Sequence, residues 1–233
     1  MEERPGGPPP VDGPSSVGGL LCQIAELPPG EGSDQEAMWT RFLHPVLRLR
    51  NILTPGPAHQ RETPEIFGAR EPYPLLADRD DVLVFQTEPL AEAVEVTGAV
   101  TVRLWVGSSA PDTDFTAKLV DVYPPSADYP DGYHMNLSDS VIRCRYREGW
   151  EREVFMEPAG VYPVTITLPP TSNLFAAGHR IRLDVSSSNF PRLDLNPNTG
   201  EPVGRHTRTQ VAHQRVYVDA EHPSHVVLPV IPA

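Results

Sequence analysis

The chain has 233 residues, of which 21% are charged and 39% hydrophobic, a composition typical of a folded domain rather than a disordered segment. Its formal net charge of −12, from 19 Lys and Arg against 31 Asp and Glu, argues against nucleic-acid binding. No stretch reaches the apolar length of a membrane-spanning helix, so we predict no membrane partner. With two cysteines, Cys22 and Cys144, and no visible secretory leader, we expect a cytoplasmic protein.

The first part of the chain is rich in proline and glycine. Residues 1–34 show no apolar periodicity, which predicts a linker or an extended strap. Ser33 followed by Glu36 forms a capping-box pattern, and Pro45 stands where a helix would end. The pattern therefore predicts a short helix over residues 34–44.

From Asp81 onward, short apolar runs alternate with turn residues, which is typical of β-strands. In the clearest run, Val102, Leu104 and Val106 share one face, and Gly98 suits a bend just before it. Eight or nine such strands follow one another with no convincing helix between them, which predicts an all-β fold: a β-sandwich or jelly roll. The runs are VLVFQT, VEVTG, AVTVRLWV, FTAKLVDVY, SVIRCRYR, VYPVTITL, RIRLDV, QRVYVD and HVVLPVI.

A long irregular stretch follows the strand RIRLDV and opens with three serines, Ser186, Ser187 and Ser188. A catalytic serine of the α/β-hydrolase type needs a G-x-S-x-G turn between a strand and a helix. The nearest sequence is GPSSVGG at residues 13–19, whose second glycine comes one position too late. We therefore predict no catalytic residue, and we expect the three serines to satisfy turn backbone.

Two segments rich in acidic or histidine side chains are candidate metal sites. In DAEHPSH, a proline separates His222 from His225 and prevents the one-face helix that zinc proteases use. In APDTDF, Asp112 and Asp114 lack the twelve-residue loop of a calcium site. We predict no metal and no cofactor, with both aspartates bonding the backbone of their own turn.

Arginines alternate along SVIRCRYR, with Arg143, Arg145 and Arg147 on one face of the predicted strand. Cys144 falls on the opposite, apolar face and lacks the electropositive setting of a reactive thiolate. Two interpretations remain open for the arginines: a solvated sheet face, or an interface if another protein desolvates them.

Four long blocks, in this order, resemble the C-terminal domain of the Xaa-Pro dipeptidyl-peptidase and cocaine-esterase-like serine hydrolases. The resemblance is dense over residues 54–233 and looser around VDGPSSVGGLLC at residues 11–22. It implies a galactose-binding-like jelly roll over residues 54–233, preceded by a strap with a short helical insertion over residues 1–53. The blocks are LADRDDVLVFQTEPL, EVTGAVTVRLWVGSSAPDTDFTAKLVDVYP, TSNLFAAGHRIRLDVSSSNFPRLDLNPNTGEP and DAEHPSHVVLPV.

The resemblance also implies where the chemistry of such enzymes resides. Their catalytic serine, aspartate and histidine belong to an upstream α/β-hydrolase domain, so none of the three is carried over to this chain. The segment after VGG borders the acyl pocket, which implies that Leu21 and Cys22 form part of a substrate-pocket wall. Phe190, Pro191 and Arg192, in the long loop, are predicted to form part of the interface with the hydrolase domain.

Two functions follow as expectations. The first is a non-catalytic domain that stabilises and shapes the active site of an α/β-hydrolase. Its predicted partner is therefore an α/β-hydrolase domain or subunit. We also expect that the chain can form a homo-oligomer. The second, drawn from the fold alone, is a free-standing carbohydrate-binding module. Its sugar platform would be Trp105, which alternates away from the apolar face, or Trp150.

Overall fold

Antiparallel β-strands make up nearly all the regular structure of the computed structural model, which describes residues 21–24, 59–64, 71–190 and 192–232. Within these ranges there is no α-helix, and the single-turn 3-10 segments are Leu76–Asp78 and Cys144–Tyr146. The strands are β1 (Leu21–Ile24), β2 (Leu83–Gln86), β3 (Val94–Gly98), β4 (Thr101–Ser108), β5 (Asp114–Tyr123), β6 (Tyr133–Arg143), β7 (Tyr162–Thr167), β8 (Thr171–Phe175), β9 (Arg180–Ser186), β10 (Gln214–Tyr217), β11 (His225–Val227) and β12 (Val230–Ile231).

The strands form sheets of five, four and three members. In the five-stranded sheet, β4 pairs with β7 on one edge and with β10 and β11 on the other, and β1 lies beyond β10. The four-stranded sheet has the order β2-β9-β5-β6, and the three-stranded sheet has the order β12-β3-β8. All of these pairings are antiparallel, as expected for strands joined by short turns.

The hydrophobic core lies between the five-stranded and four-stranded sheets. Val102, Leu104 and Val106 project from β4 into a cluster that also contains Phe115 and Leu119 of β5. Alternation within each strand sends one set of side chains inward, and full burial of each such side chain contributes roughly 1.5–3 kcal/mol. The two layers therefore form a β-sandwich closed around one core.

The β5–β6 hairpin contains a β-bulge. Leu119 pairs with Ser138, but the next residue, Val120, pairs with Asn136, so Leu137 has no partner on β5. An extra residue of this kind bends the strand and shifts the side-chain alternation by one position beyond it.

The outward face of the four-stranded sheet carries buried charge. Lys118 is flanked in register by Asp139 on β6 and by Asp184 on β9, and burial lowers its pKa. Its Nζ donates a hydrogen bond of 3.1 Å to Oε1 of Gln60. Gln60 lies in the segment 59–64, which we call the covering segment because it packs on this face. Arg182 is buried beside Lys118 and forms an ion pair of 2.9 Å with Asp184. The covering segment and the sheet are therefore joined through polar contacts.

Two neutral histidines, His59 and His134, add hydrogen bonds between the covering segment and the four-stranded sheet. The backbone N–H of His134 donates to Nδ1 of His59 at 3.0 Å, and Arg182 Nη1 donates to Nδ1 of His134 at 2.7 Å. Because an arginine can only donate, Nδ1 of His134 must be unprotonated. Burial, reinforced by the charge of Arg182, lowers the pKa of His134 to about 4.

The predicted all-β sandwich is confirmed, but the predicted strand pattern was wrong at several places. The run HVVLPVI, predicted as one strand, forms β11 and β12 in two different sheets, and β1 lies in the stretch predicted as a linker or strap. Strand β8 was not predicted, and β6 begins at Tyr133 rather than near Ser140, because the bulge interrupts its alternation. At its other end β6 stops at Arg143, and a 3-10 turn replaces the predicted continuation.

Other predictions fall outside the described residues. The helix over residues 34–44 lies wholly outside them, and the domain division at residues 53 and 54 stays a prediction. None of the helical segments in the described ranges is long and apolar enough to cross a membrane.

Candidate docking surface

A long loop joins β9 to β10, and its described residues, 187–190 and 192–213, contain no strand. Its first anchor is Asp139, a buried carboxylate of β6. Asn189 Nδ2 donates to Asp139 at 3.1 Å, and Arg192 forms an ion pair with it at 2.9 Å. The beginning of the loop is therefore held against the outward face of the four-stranded sheet.

The second anchor of the loop is Asn196. Its Nδ2 donates hydrogen bonds to Oδ2 of Asp112 at 2.8 Å and to Oδ1 of Asp114 at 2.7 Å. Its side-chain oxygen accepts a bond of 2.9 Å from the backbone N–H of Asn198, which tightens the following turn. One amide side chain thus joins the middle of the loop to the start of β5.

The same two aspartates hold two arginines. Arg145, fully buried, donates from Nε to Asp112 at 2.8 Å, and its backbone N–H donates to the other carboxylate oxygen at 2.9 Å. Its Nη2 donates to the backbone carbonyl of Glu201 at 2.9 Å, which adds a third anchor for the loop. Arg143 forms a bidentate pair with Asp114, with both bonds at 2.9 Å.

Two predictions for these residues were wrong. Arg145 is not part of a solvated stripe, because the strand ends before it and the 3-10 turn directs its side chain inward. Asp112 and Asp114 do not serve their own turn backbone, because the hairpin pairs Asp114 with Arg143 directly across the strands. Opposite charges on two strands that follow one another in the sequence were the signal that would have found this pair.

Apolar side chains are exposed on the loop and on the neighbouring segment 144–160. Gly200 has a φ of 73°, and a Cβ there would approach the Phe155 ring to 3.3 Å, so the two segments are in close contact. We call the exposed members of this region the docking surface. They are Trp150, Phe155, Leu195, Val203 and Val211.

The serines at the start of the loop serve its backbone. Ser186 Oγ donates to the carbonyl of Ser188 at 3.0 Å, and Ser188 Oγ accepts a bond from the N–H of Phe190 at 3.2 Å. The prediction is confirmed for these two serines, whereas Ser187 Oγ has no hydrogen-bond partner among the described residues. Within the same ranges, no three His, Cys, Asp or Glu side chains form a group that could hold a metal ion.

The residues predicted for the substrate-pocket wall and the domain interface are placed as follows. The backbone of β1 sets Leu21 and Cys22 opposite Tyr217 and Val216 of β10. In the interface loop, Phe190 is half-buried, and Pro191 lies outside the described residues. The side chain of Arg192 is 63% exposed although it is paired with Asp139. The roles of all five residues stay predictions.

The two tryptophans differ in exposure. Trp105 is half-buried, and the His222 ring packs edge-on against its indole at 5.2 Å. Its backbone N–H donates to Ser224 Oγ at 2.8 Å. Trp105 is therefore only partly exposed, and its role as a sugar platform stays a prediction. Trp150 is 75% exposed and lies 5.3 Å from the Tyr146 ring, centroid to centroid.

Replacing Asn196 with alanine is expected to free the middle of the loop. The substitution removes both hydrogen bonds to the aspartates and leaves two buried carboxylates with one donor fewer, at a cost of about 1–3 kcal/mol. Limited proteolysis should then cut within residues 187–213 faster than in the parent protein. Asn173→Ala, which removes a single 3.2 Å bond to Asp121 elsewhere, is the matched control. Equal cleavage rates for the parent and Asn196→Ala would contradict the anchoring role.

An exposed and partly apolar surface on a β-sandwich is typical of a domain that binds another molecule. The sequence matches the family model of the X-Pro dipeptidyl-peptidase C-terminal non-catalytic domain over residues 41–227. The chain belongs to this family.

Similar proteins are esterases and peptidases much longer than this chain. The cocaine esterase of Rhodococcus sp. is 47% identical over 178 residues, which are 76% of this chain and 28% of the esterase. Among solved structures, an α-amino acid ester hydrolase is 32% identical, with a TM-score of 0.63 over 76% of this chain and 33% of the hydrolase. An aminopeptidase from a marine sediment Thaumarchaeota archaeon is 37% identical, with a TM-score of 0.63 over 67% of this chain and 27% of the aminopeptidase. The chain therefore spans about a third or less of each of these relatives.

Proposed function

We propose that this domain packs against an α/β-hydrolase domain or subunit and helps to shape its substrate cleft. The observation that carries the proposal is the docking surface, whose loop is hydrogen-bonded to two buried ion pairs while its apolar side chains are exposed. Exposed apolar surface on a rigid frame is typical of a protein–protein contact. The proposal includes a jelly-roll topology of the galactose-binding-like kind, a cytoplasmic location, and hydrolysis of small esters, amides or peptides after proline by the partner.

The length of the relatives supports this division of labour. The matched region is 28% of the cocaine esterase, so most of that enzyme lies outside the part that this chain resembles. A partner domain would cover Leu195 and Val203 and remove them from water, which contributes about 25 cal/mol per Å² of apolar area. The rigid loop would keep the entropy cost of docking low, because few side chains must be ordered on binding.

The test uses the cocaine esterase of Rhodococcus sp. truncated to lack the region that this chain matches. We expect this chain alone not to hydrolyse a nitrophenyl ester or an Xaa-Pro anilide. Added to the truncated esterase, or fused in place of the missing region, it should restore ester hydrolysis. Val203→Asp should weaken the restoring association at least about tenfold, because it places a charge in the contact.

The control is Leu174→Asp, which adds the same charge at an exposed leucine on β8, away from the docking surface. It should restore activity as the parent chain does. Turnover by the pure chain that a serine-reactive phosphonate abolishes would sink the proposal. So would a folded fusion protein without activity.

A carbohydrate-binding function is the second candidate, and the exposure of Trp150 favours it. An exposed tryptophan beside Tyr146 offers an apolar platform on which a sugar ring can stack. If this platform binds the sugar, Trp150→Ala should abolish sugar binding in an NMR titration.

A further inference from the structure

A pocket of about 410 Å³ lies at the tip of the β5–β6 hairpin, outside the docking surface. Tyr123, Tyr129 and Tyr133 form its aromatic walls, and the Pro124–Pro125 pair and His179 complete most of the lining. Pockets that hold small molecules in proteins have volumes of roughly 300–1,000 Å³. The space therefore suits one or two sugar-sized rings.

The aromatic walls are held by contacts with one another. Tyr133 lies 4.7 Å from Tyr129 and 6.1 Å from Tyr123, centroid to centroid, in edge-to-face arrangements. His59 stacks on Tyr133 at 4.6 Å, which supports that ring from the covering segment. Tyr129 is 46% exposed and so presents much of its ring to solvent. These rings form a wall that is in place before any ligand binds.

The polar side of the pocket is His179, and it is held in one orientation. Its Nδ1 lies 2.8 Å from Oδ1 of Asp121, a carboxylate with no exposed surface. Asn173 Nδ2 donates to the other oxygen of Asp121 at 3.2 Å, so the carboxylate is itself fixed. The opposite ring nitrogen, Nε2, has no hydrogen-bond partner within the described ranges. The buried aspartate thus orients a histidine that keeps one nitrogen for a ligand.

Hydroxyl groups add neutral hydrogen-bonding capacity. Tyr123 Oη contacts the Met135 sulfur at 3.9 Å, a weak acceptor that leaves the oxygen's lone pairs for other donors. A ligand that matches this pocket has an apolar face for the tyrosine rings and several neutral hydroxyls for the polar edge. An anion fits poorly beside buried Asp121 in a chain of net charge −12.

We propose that this pocket binds a pyranose ring of a neutral saccharide, through stacking on Tyr129 and Tyr133 and a hydrogen bond to Nε2 of His179. The pocket adjoins Tyr123, the last residue of β5, whereas Asn196 of the docking loop binds Asp114, the first. The ten residues of β5 span about 33 Å, so a sugar and a hydrolase domain bind at opposite ends. The two functions therefore do not compete for the same surface.

The experiment is a saturation-transfer NMR titration of the full chain with the methyl glycosides of glucose and galactose, cellobiose and maltose. We expect saturable binding of at least one of these sugars. Tyr129→Ala should weaken it roughly three- to tenfold, the range of one aromatic contact. His179→Gln should weaken it too, and the thermal unfolding of each variant shows whether the fold is retained. Tyr129 is exposed, so its variant remains informative even if His179→Gln is unstable.

Two control variants separate this site from the others. Trp150→Ala should leave sugar binding unchanged, and loss of binding in that variant alone would overturn the tyrosine pocket in favour of the tryptophan platform. Val203→Asp, which tests docking, should also leave it unchanged, so the two proposals can fail separately. Absence of saturable binding by all four sugars would overturn the inference. So would binding of a polyproline peptide, and of no sugar, at the same tyrosines.

Discussion

Replacing Arg145 with alanine is expected to lower the free energy of unfolding by about 3–5 kcal/mol, because it leaves the carboxylate of Asp112 buried without its cation. The same substitution removes the hydrogen bond to the carbonyl of Glu201 and so detaches the loop at that point. Urea-induced unfolding followed by circular dichroism measures the change. Arg145→Lys keeps the charge but not the planar guanidinium that donates several hydrogen bonds at once. Its free energy of unfolding should therefore lie between those of the parent and the alanine variant.

Arg152→Ala is the control for this prediction. Arg152 is 77% exposed and pairs with Glu148 at 3.3 Å on the surface, so its removal should change the free energy of unfolding by no more than about 0.5 kcal/mol. A loss below about 1 kcal/mol for Arg145→Ala would mean that the buried network contributes little to stability.

Acidification from pH 7.5 to 5 is expected to cost the domain about 1–2 kcal/mol through His134 alone. The folded pKa of His134 is about 4, below the value of 6.5 expected in the unfolded chain. The unfolded state therefore binds the proton first as the pH falls. The contribution of His134 is fully present above pH 6.5 and is lost progressively as the pH falls towards about 4. His59, whose pKa is also lowered by burial, acts in the same direction.

The measurement is the free energy of unfolding in urea at a series of pH values between 7.5 and 5, above the range in which most carboxylates titrate. His134→Asn places an amide oxygen where Nδ1 accepts from Arg182, and this group does not titrate. The variant should lose less stability on acidification than the parent chain. His206→Gln, at an exposed histidine, should keep the parental pH dependence. Identical pH profiles for His134→Asn and the parent would refute the prediction.

The parts of the fold that could be predicted are those where one side of a strand faces water. In β4 and β7 the alternation of apolar and polar residues reports directly on the core, and Leu104 and Val164 both point inward as the pattern predicts. Strand β6 was only partly predicted, because its outward residues Asp139 and His134 are polar yet buried beneath other segments. Alternation distinguishes apolar from polar side chains, and it does not show which polar side chains are covered.

The candidate docking surface was located only through its loop. The stretch of turn residues after β9 predicted a long loop, and the resemblance supplied a reason for it to meet another domain. The anchors could not be predicted, because Asn196 and Asp112 are 84 residues apart and meet only once the sheets have closed. Trp105 shows the same limit, since Ser224, whose Oγ accepts from the Trp105 backbone N–H, is 119 positions away.

The bulge at Leu137 also sets how the length of this hairpin can vary among related chains. Loss of Leu137 itself would leave Ser138 and Asn136 as neighbours opposite Leu119 and Val120, so the pairing would become regular and both faces would be kept. Loss of Met135 would instead move the His134 side chain to the other face of the sheet and away from Arg182. Removal of the bulge at the same time would restore its position. Residues added or removed in the connecting turn, over 124–132, do not change which face of the sheet each side chain of β6 occupies. Changes of length should therefore accumulate at the tip of the hairpin and at the bulge, and be absent from the strand between them.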